Sequence, residues 1–100
     1  MVRIVVEYFF NPNSPECQNY MKIVVNPLMR ERMKEVEWKV INIYDPKEKK
    51  KLEEYKINAV PALVINKNRI LIGYKPQKDV KTIIQEEIEI EKKKREVKLS

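Results

Sequence analysis

Residues 3–17 read Arg3-Ile4-Val5-Val6-Glu7-Tyr8-Phe9-Phe10-Asn11-Pro12-Asn13-Ser14-Pro15-Glu16-Cys17. The change of character within this stretch decides the fold. From Ile4 to Phe10 only Glu7 is charged, which is too continuous an apolar run for a strand with one wet face. It predicts a strand buried on both faces, near the centre of a sheet. Asn11-Pro12-Asn13-Ser14-Pro15 is dense in chain breakers and predicts a loop. Ser14 then suits an N-cap, with Pro15 at the first helical position and Cys17 at the third. A buried strand feeding a helix through a short loop is the opening of an α/β domain.

Moving outward, the helix continues through Met21, Val24 and Val25. Pro27 interrupts it, because it lacks an N–H and its ring clashes with the carbonyl of Ile23. The pattern predicts either a kinked helix or a fresh one capped by Asn26, carrying on through Leu28, Met29, Met33 and Val36. Residues 37–44 alternate well enough for a second strand. Asp45-Pro46-Lys47-Glu48 is a helix start, with a cap, an N1 proline and an acid at N3. That helix presents Leu52 and Tyr55 and ends near Ile57 and Asn58. Residues 60–65 form a third strand, Lys67-Asn68 a two-residue turn, and residues 69–73 a fourth strand antiparallel to it. Lys78 or Asp79 opens a last helix with Val80, Ile83, Ile84 and Ile88 at helical spacing. The expected order is β-α-β-α-β-β-α, without repeats or linkers.

One hundred residues make one domain, large enough for a core without disulfide or metal staples. With 43% hydrophobic and 36% charged residues, the composition is that of a soluble, well-solvated chain. No apolar run approaches the roughly 18 residues that span a bilayer. Residues 2–6 are already strand-like and carry no signal-peptide cleavage pattern. A single cysteine precludes an internal disulfide and points to a reducing cytoplasm. The net charge of +6 is concentrated at one end. Lys92, Lys93, Lys94, Arg95 and Lys98 against Glu96 contribute +4 of it. The organisation expected is thus a domain over 1–91 and a basic tail or helix extension over 92–100. A solvated tail outweighs nucleic-acid contact, since no aromatic-basic surface pattern accompanies it. The absence of histidine removes imidazole general-base catalysis and disfavours a zinc site. No cofactor or metal is expected, and no membrane partner. One glycine, no histidine and abundant Lys, Glu and Ile lean towards a thermophile composition.

The expected order, the proline-flanked loop after strand one, and Ala59-Val60-Pro61-Ala62-Leu63-Val64-Ile65 at strand three together resemble the thioredoxin fold. The chain is similar in particular to small archaeal thioredoxins with glutaredoxin-like features, over roughly residues 2–88. Residues 9–17, Tyr55-Lys56-Ile57-Asn58-Ala59-Val60-Pro61 and Ile72-Gly73 carry the resemblance. It implies an α/β, thioredoxin-like fold with a four-stranded mixed sheet flanked by helices. It also implies a cis Val60–Pro61 bond beside the active site, where the backbone at Val60 pairs with an extended peptide.

The same resemblance implies a thiol–disulfide site, and here the sequence departs from the pattern. The family's C-x-x-C becomes Ser14-Pro15-Glu16-Cys17. A dithiol site works because one thiolate attacks a disulfide and the second thiol resolves the mixed disulfide. Two registers are open. Aligned without gaps, Pro12 and Pro15 match the family's flanking prolines, Cys17 takes the resolving position and Ser14 replaces the nucleophile. Alternatively Ser14 to Cys17 is the first half of Ser-Pro-x-Cys-x-x-Cys, Cys17 is the nucleophile and Tyr20 replaces the second cysteine. The gapless register keeps both prolines and the spacing from strand one, and is favoured. A serine hydroxyl with no histidine to activate it is no substitute for a thiolate, so Ser14 reads first as a cap.

The candidate site residues are therefore Cys17 and Ser14 for the chemistry, and Pro15, Val60, Pro61 and Tyr20 for substrate binding. Glu7 is a candidate proton relay if it is buried near Cys17; partial exposure, or pairing with a lysine from the neighbouring strand or helix, is its alternative. Tyr8, Phe9, Trp38 and Tyr44 read as core or half-exposed aromatics. The function expected is a thioredoxin/glutaredoxin-like protein of thiol–disulfide type with one thiol and weak or lost dithiol activity. Its partners would be protein thiols or disulfides, or a small thiol. The competing expectation is a non-catalytic binding module using the groove beside Pro61.

Overall fold

Four strands form one mixed sheet: β1 (Ile4–Phe10), β2 (Val36–Asn42), β3 (Ala62–Ile65) and β4 (Arg69–Ile72), in the order β2-β1-β3-β4. The computed structural model describes the backbone of residues 2–99 and the side chains of residues 2–94. β1 runs parallel to β2, with Tyr8 opposite Val40, and antiparallel to β3, with Tyr8 opposite Leu63. β3 and β4 form an antiparallel hairpin. The continuous apolar run of β1 thus lies inside the sheet, with one parallel and one antiparallel neighbour.

Strand alternation sends β1 side chains into two cores. Ile4, Val6 and Tyr8 meet Val24, Leu28 and Ile84 on one face, whereas Phe9 meets Ile41, Ala62 and Val64 on the other. Each buried aliphatic side chain contributes about 1.5–3 kcal/mol. The first face is covered by α1 (Pro15–Tyr20), α2 (Asn26–Arg30) and α4 (Gln77–Leu99). The second is covered by α3 (Lys49–Glu54), from which Leu52 reaches the sheet.

A π turn over Met21–Val25 joins α1 to α2 with helical backbone angles maintained at both junctions. The Asn26 N–H reaches the Met21 carbonyl, five residues back. This wider turn gives the Pro27 ring room without breaking the helix. Asn26 is itself helical, at φ −58, so it does not cap a fresh start.

The helix also ends earlier than the spacing predicts. Glu31 and Arg32 donate to the Leu28 and Met29 carbonyls in a tightened last turn, and Arg32 turns to φ 49. Val36 opens β2 instead of closing a helix. Met29, Met33 and Val36 still pack on the same core, which is why their spacing mimics one helical face. The β3–β4 turn is centred on Asn66 and Lys67, both at φ 56, one residue before the expected pair. Positive φ at both central residues is the hairpin turn whose twist matches the strands. α4 starts at Gln77 and runs past residue 91, through the backbone of the segment read as a basic tail or helix extension; the side chains after 94 lie outside the described residues. Among the described residues no helix is long and apolar enough to cross a membrane.

Two polar clasps fix α4. Glu87 is buried and accepts from the side-chain amides of Asn66 and Asn68 at 3.4 Å each, beside Arg69 at 3.8 Å. Lys81 meets Glu31 at 2.7 Å and ties α4 to the end of α2.

Candidate functional site

The site is built where β1 ends. Asn11 Oδ1 accepts from the Asn13 N–H at 2.8 Å, and the Asn11 carbonyl accepts from the Ser14 N–H at 3.0 Å. These two bonds fold the breaker cluster into a tight loop. Ser14 is extended, at φ −91 and ψ 119, and its Oγ accepts from the Cys17 N–H at 3.3 Å. Ser14 is thus the N-cap, Pro15 fills the first position, and Cys17 lies at the third.

Cys17 is 1% exposed. Its Sγ accepts from the Asn11 N–H at 3.4 Å, and its carbonyl accepts from the Tyr8 hydroxyl at 2.7 Å. The thiol is therefore held between the loop backbone and the sheet rather than presented to solvent. A nucleophile needs access, and this sulfur has little.

The aromatic residues around it form a rank. Tyr8 stacks with Phe10 and with Tyr20, at 5.9 and 5.8 Å between ring centres, and Tyr20 meets Tyr74 edge-on at 5.4 Å. Burial holds the Tyr8 hydroxyl well above the usual phenol range, helped by Cys17 and Tyr20. Burial also pushes Tyr20 up to about 12, against a lowering by the Lys75 backbone and with a smaller raising by Tyr74. Tyr20 is 1% exposed, and it is Tyr74, at 57% exposure, that lies at the surface. Pro15 is exposed and Ser14 half-buried. Tyr44 leaves the core altogether, at 62% exposure, and its hydroxyl accepts from the Asn11 side-chain amide.

The relay reading of Glu7 meets a different arrangement. Glu7 is buried, but its carboxylate receives the Tyr55 hydroxyl at 2.9 Å and the Lys51 ammonium at 3.1 Å. Tyr55 packs in the core of the α3 face, whereas Tyr8, which holds the Cys17 carbonyl, belongs to the opposite core. The pairing with lysine is what is found, and both carboxylate oxygens are engaged, by Lys51 and Tyr55. Burial acts to lower the Lys51 pKa, but hydrogen bonding and charge from Glu7 and Glu48 together raise it. Tyr55 is pushed up to about 12 by burial and by Glu7.

The Val60–Pro61 peptide bond is cis. Pro61 is buried, Val60 half-buried and Ala59 exposed. The Pro61 carbonyl accepts from the Gly73 N–H at 2.8 Å. Because Phe9 lies opposite Ala62, Pro61 falls beside the end of β1, where the Asn11–Ser14 loop begins. Pro61 and Cys17 thus share one end of the sheet.

Cavities open there among the described residues. One of about 370 Å³ includes Cys17, Tyr8, Phe10 and Val40 in its wall. Another of about 180 Å³ lies beside Val60, against Leu52 and Ile57. Among the described residues no group of three or more acids or cysteines is placed to hold a metal ion.

Sequence reasoning missed two groups that hold Cys17, the Tyr8 hydroxyl and the Asn11 N–H, and the cavity that Cys17 lines. Breaker density marked Asn11 only as loop, and nothing in the local pattern links Tyr8 to a residue nine positions on.

No known protein family matches the sequence, and no curated protein matches it. Solved structures do. An uncharacterized thioredoxin-like protein from Clostridium perfringens is 19% identical, with a TM-score of 0.73, over 84% of this chain and 70% of that one. A thioredoxin from Thermus thermophilus is 17% identical, with a TM-score of 0.70, over 84% of this chain and 72% of that one. A thioredoxin from Arabidopsis thaliana in its oxidised state is 15% identical, with a TM-score of 0.67, over 84% and 74%. The chain has the thioredoxin-like fold.

Proposed function

We propose that this chain is a thioredoxin-like protein of thiol–disulfide type whose Cys17 occupies the resolving position and whose dithiol turnover is weak or lost. One observation carries the reading: Cys17 Sγ is buried and bonded by the Asn11 N–H, while Ser14, where the attacking thiol would stand, serves as the helix cap. With no second thiol in the chain, a mixed disulfide at Cys17 would be resolved by an external thiol. The partners suited to this chemistry are protein thiols or disulfides, or a small thiol. A single unbridged cysteine fits a reducing cytoplasm.

The test restores the missing half. Ser14→Cys forms an internal disulfide with Cys17 under mild oxidant and gains disulfide reductase activity, whereas the natural chain reduces insulin at background rate. The natural chain also reacts slowly with iodoacetamide at pH 7. Rapid alkylation, or a Ser14→Cys chain that stays fully reduced, would show that Cys17 is the nucleophile of the other register.

A second reading, a non-catalytic binding module beside Pro61, draws on the half-buried Val60 and exposed Ala59 at the entry to β3. Extended peptides would then shift the amide resonances of residues 59 and 60 in an NMR titration. Unchanged resonances with a panel of such peptides would remove this reading.

A further inference from the structure

The cavity of about 370 Å³ at the end of β1 has a floor and a mouth. Tyr8 and Cys17, each 1% exposed, form the floor. Met21 and Phe10 stand as walls, and Gln18 and Val40, the latter 43% exposed, open to solvent. Its volume falls within the range of small-molecule sites. Among the described residues no charged side chain lines it.

Several polar groups of the lining are already engaged within the chain. The Tyr8 hydroxyl is committed to the Cys17 carbonyl, the Gln18 side-chain amide to the Pro12 carbonyl at 2.9 Å, and Cys17 Sγ to the Asn11 N–H. A charged ligand would lose its hydration here and find no counter-charge, so the site selects against ions. A volume of about 370 Å³ lies near the lower end of the range for ligand pockets and suits a small ring system. The Tyr8 ring is already stacked on both Phe10 and Tyr20, so a planar ring entering the cavity meets Phe10, which lines it, as the end of that stack.

We infer that this cavity is a binding site for a neutral, planar aromatic molecule of one or two fused rings, seated over the Cys17 thiol and closing it to solution. The inference goes beyond the redox reading and does not depend on it, because it concerns occupancy of the cavity and not turnover. A bound ring covers the side from which Val40 and Gln18 admit solvent. Occupancy therefore sets how readily any reagent or partner thiol reaches Cys17.

The test uses the full chain and two probes, 2-naphthol and the anionic 2-naphthalenesulfonate, at pH 7. We expect 2-naphthol to bind at one site with Kd below about 1 mM, and the anion at least about tenfold more weakly. The Met21 and Val40 methyl resonances should shift with saturation. At 2-naphthol ten times above Kd, iodoacetamide should modify Cys17 about tenfold more slowly, by mass action. Met21→Trp fills the cavity and should abolish both the binding and the protection. Val40→Lys, at the exposed mouth, should weaken both while leaving the thermal midpoint in place. Non-saturable binding of 2-naphthol, equal affinity for the anion, binding without protection of Cys17, or full binding by both variants would each overturn the assignment.

Discussion

Cys17 shows how one side chain's role is set by its hydrogen bonds. Its position at the third residue of α1 is written in Ser14-Pro15, because a serine cap and an N1 proline fix where a helix begins. Its burial is not written there. That follows from Tyr8, whose hydroxyl reaches across nine residues to the Cys17 carbonyl and draws the first helical turn onto the sheet. Tyr8→Phe should therefore loosen the turn without unfolding the chain. The Met21 N–H still pairs with the same carbonyl, so the loss stays at about 1 kcal/mol. For a domain of this size the thermal midpoint should fall by roughly 4–8 °C. Cys17 should alkylate faster in the same variant. An unchanged rate and midpoint would show that the bond does not hold the turn. Glu7 teaches the converse: an acid in an apolar strand was legible as unusual, but its partners were 44 and 48 residues away, on α3.

At the scale of elements, α3 is joined to β1 through a proton-dependent clasp. Lys51 and Tyr55 both hold their protons more tightly in the folded chain than free side chains do, Tyr55 up to about 12. Raised folded-state pKa values mean that this stability is fully present below the unfolded tyrosine value of 10.0. It is lost as pH rises through the folded values, because the unfolded chain releases its protons first. Tyr20, also raised to about 12, adds to the same alkaline limb from the other face. Urea midpoints should therefore be lower at pH 11 than at pH 9, and Tyr55→Phe should lessen the difference by removing one of the groups. Equal midpoints at the two pH values would refute the clasp. The element boundaries show what periodicity reads well and what it does not. Caps and prolines placed the start of α1 and that of the 3-10 turn Pro46–Glu48, capped by Asp45, that leads into α3. The end of α2 escaped detection because Met33 and Val36 reach the same core from a turn and a strand.

At the scale of the molecule, α4 holds the helical face of the domain together. Its buried contacts run from Val80 to Ile88, and Glu91 still receives the Asn66 side-chain amide at 3.0 Å. Deleting residues 92–100 keeps all of these and should move the thermal midpoint by less than about 4 °C. A larger fall would show that the basic segment is integral to the domain. The strand and helix order and the antiparallel hairpin were determined by the sequence itself, because hydrophobic period, caps and breakers are local properties. So was the presence of a single thiol. Only the tertiary structure decided that β1 lies between a parallel and an antiparallel neighbour, that Glu7 pairs with α3, and that Cys17 lies under an apolar cavity instead of at the surface. These depend on which residues meet across the sheet. Such meetings are set by the packing of two cores around β1, which no window along the chain contains.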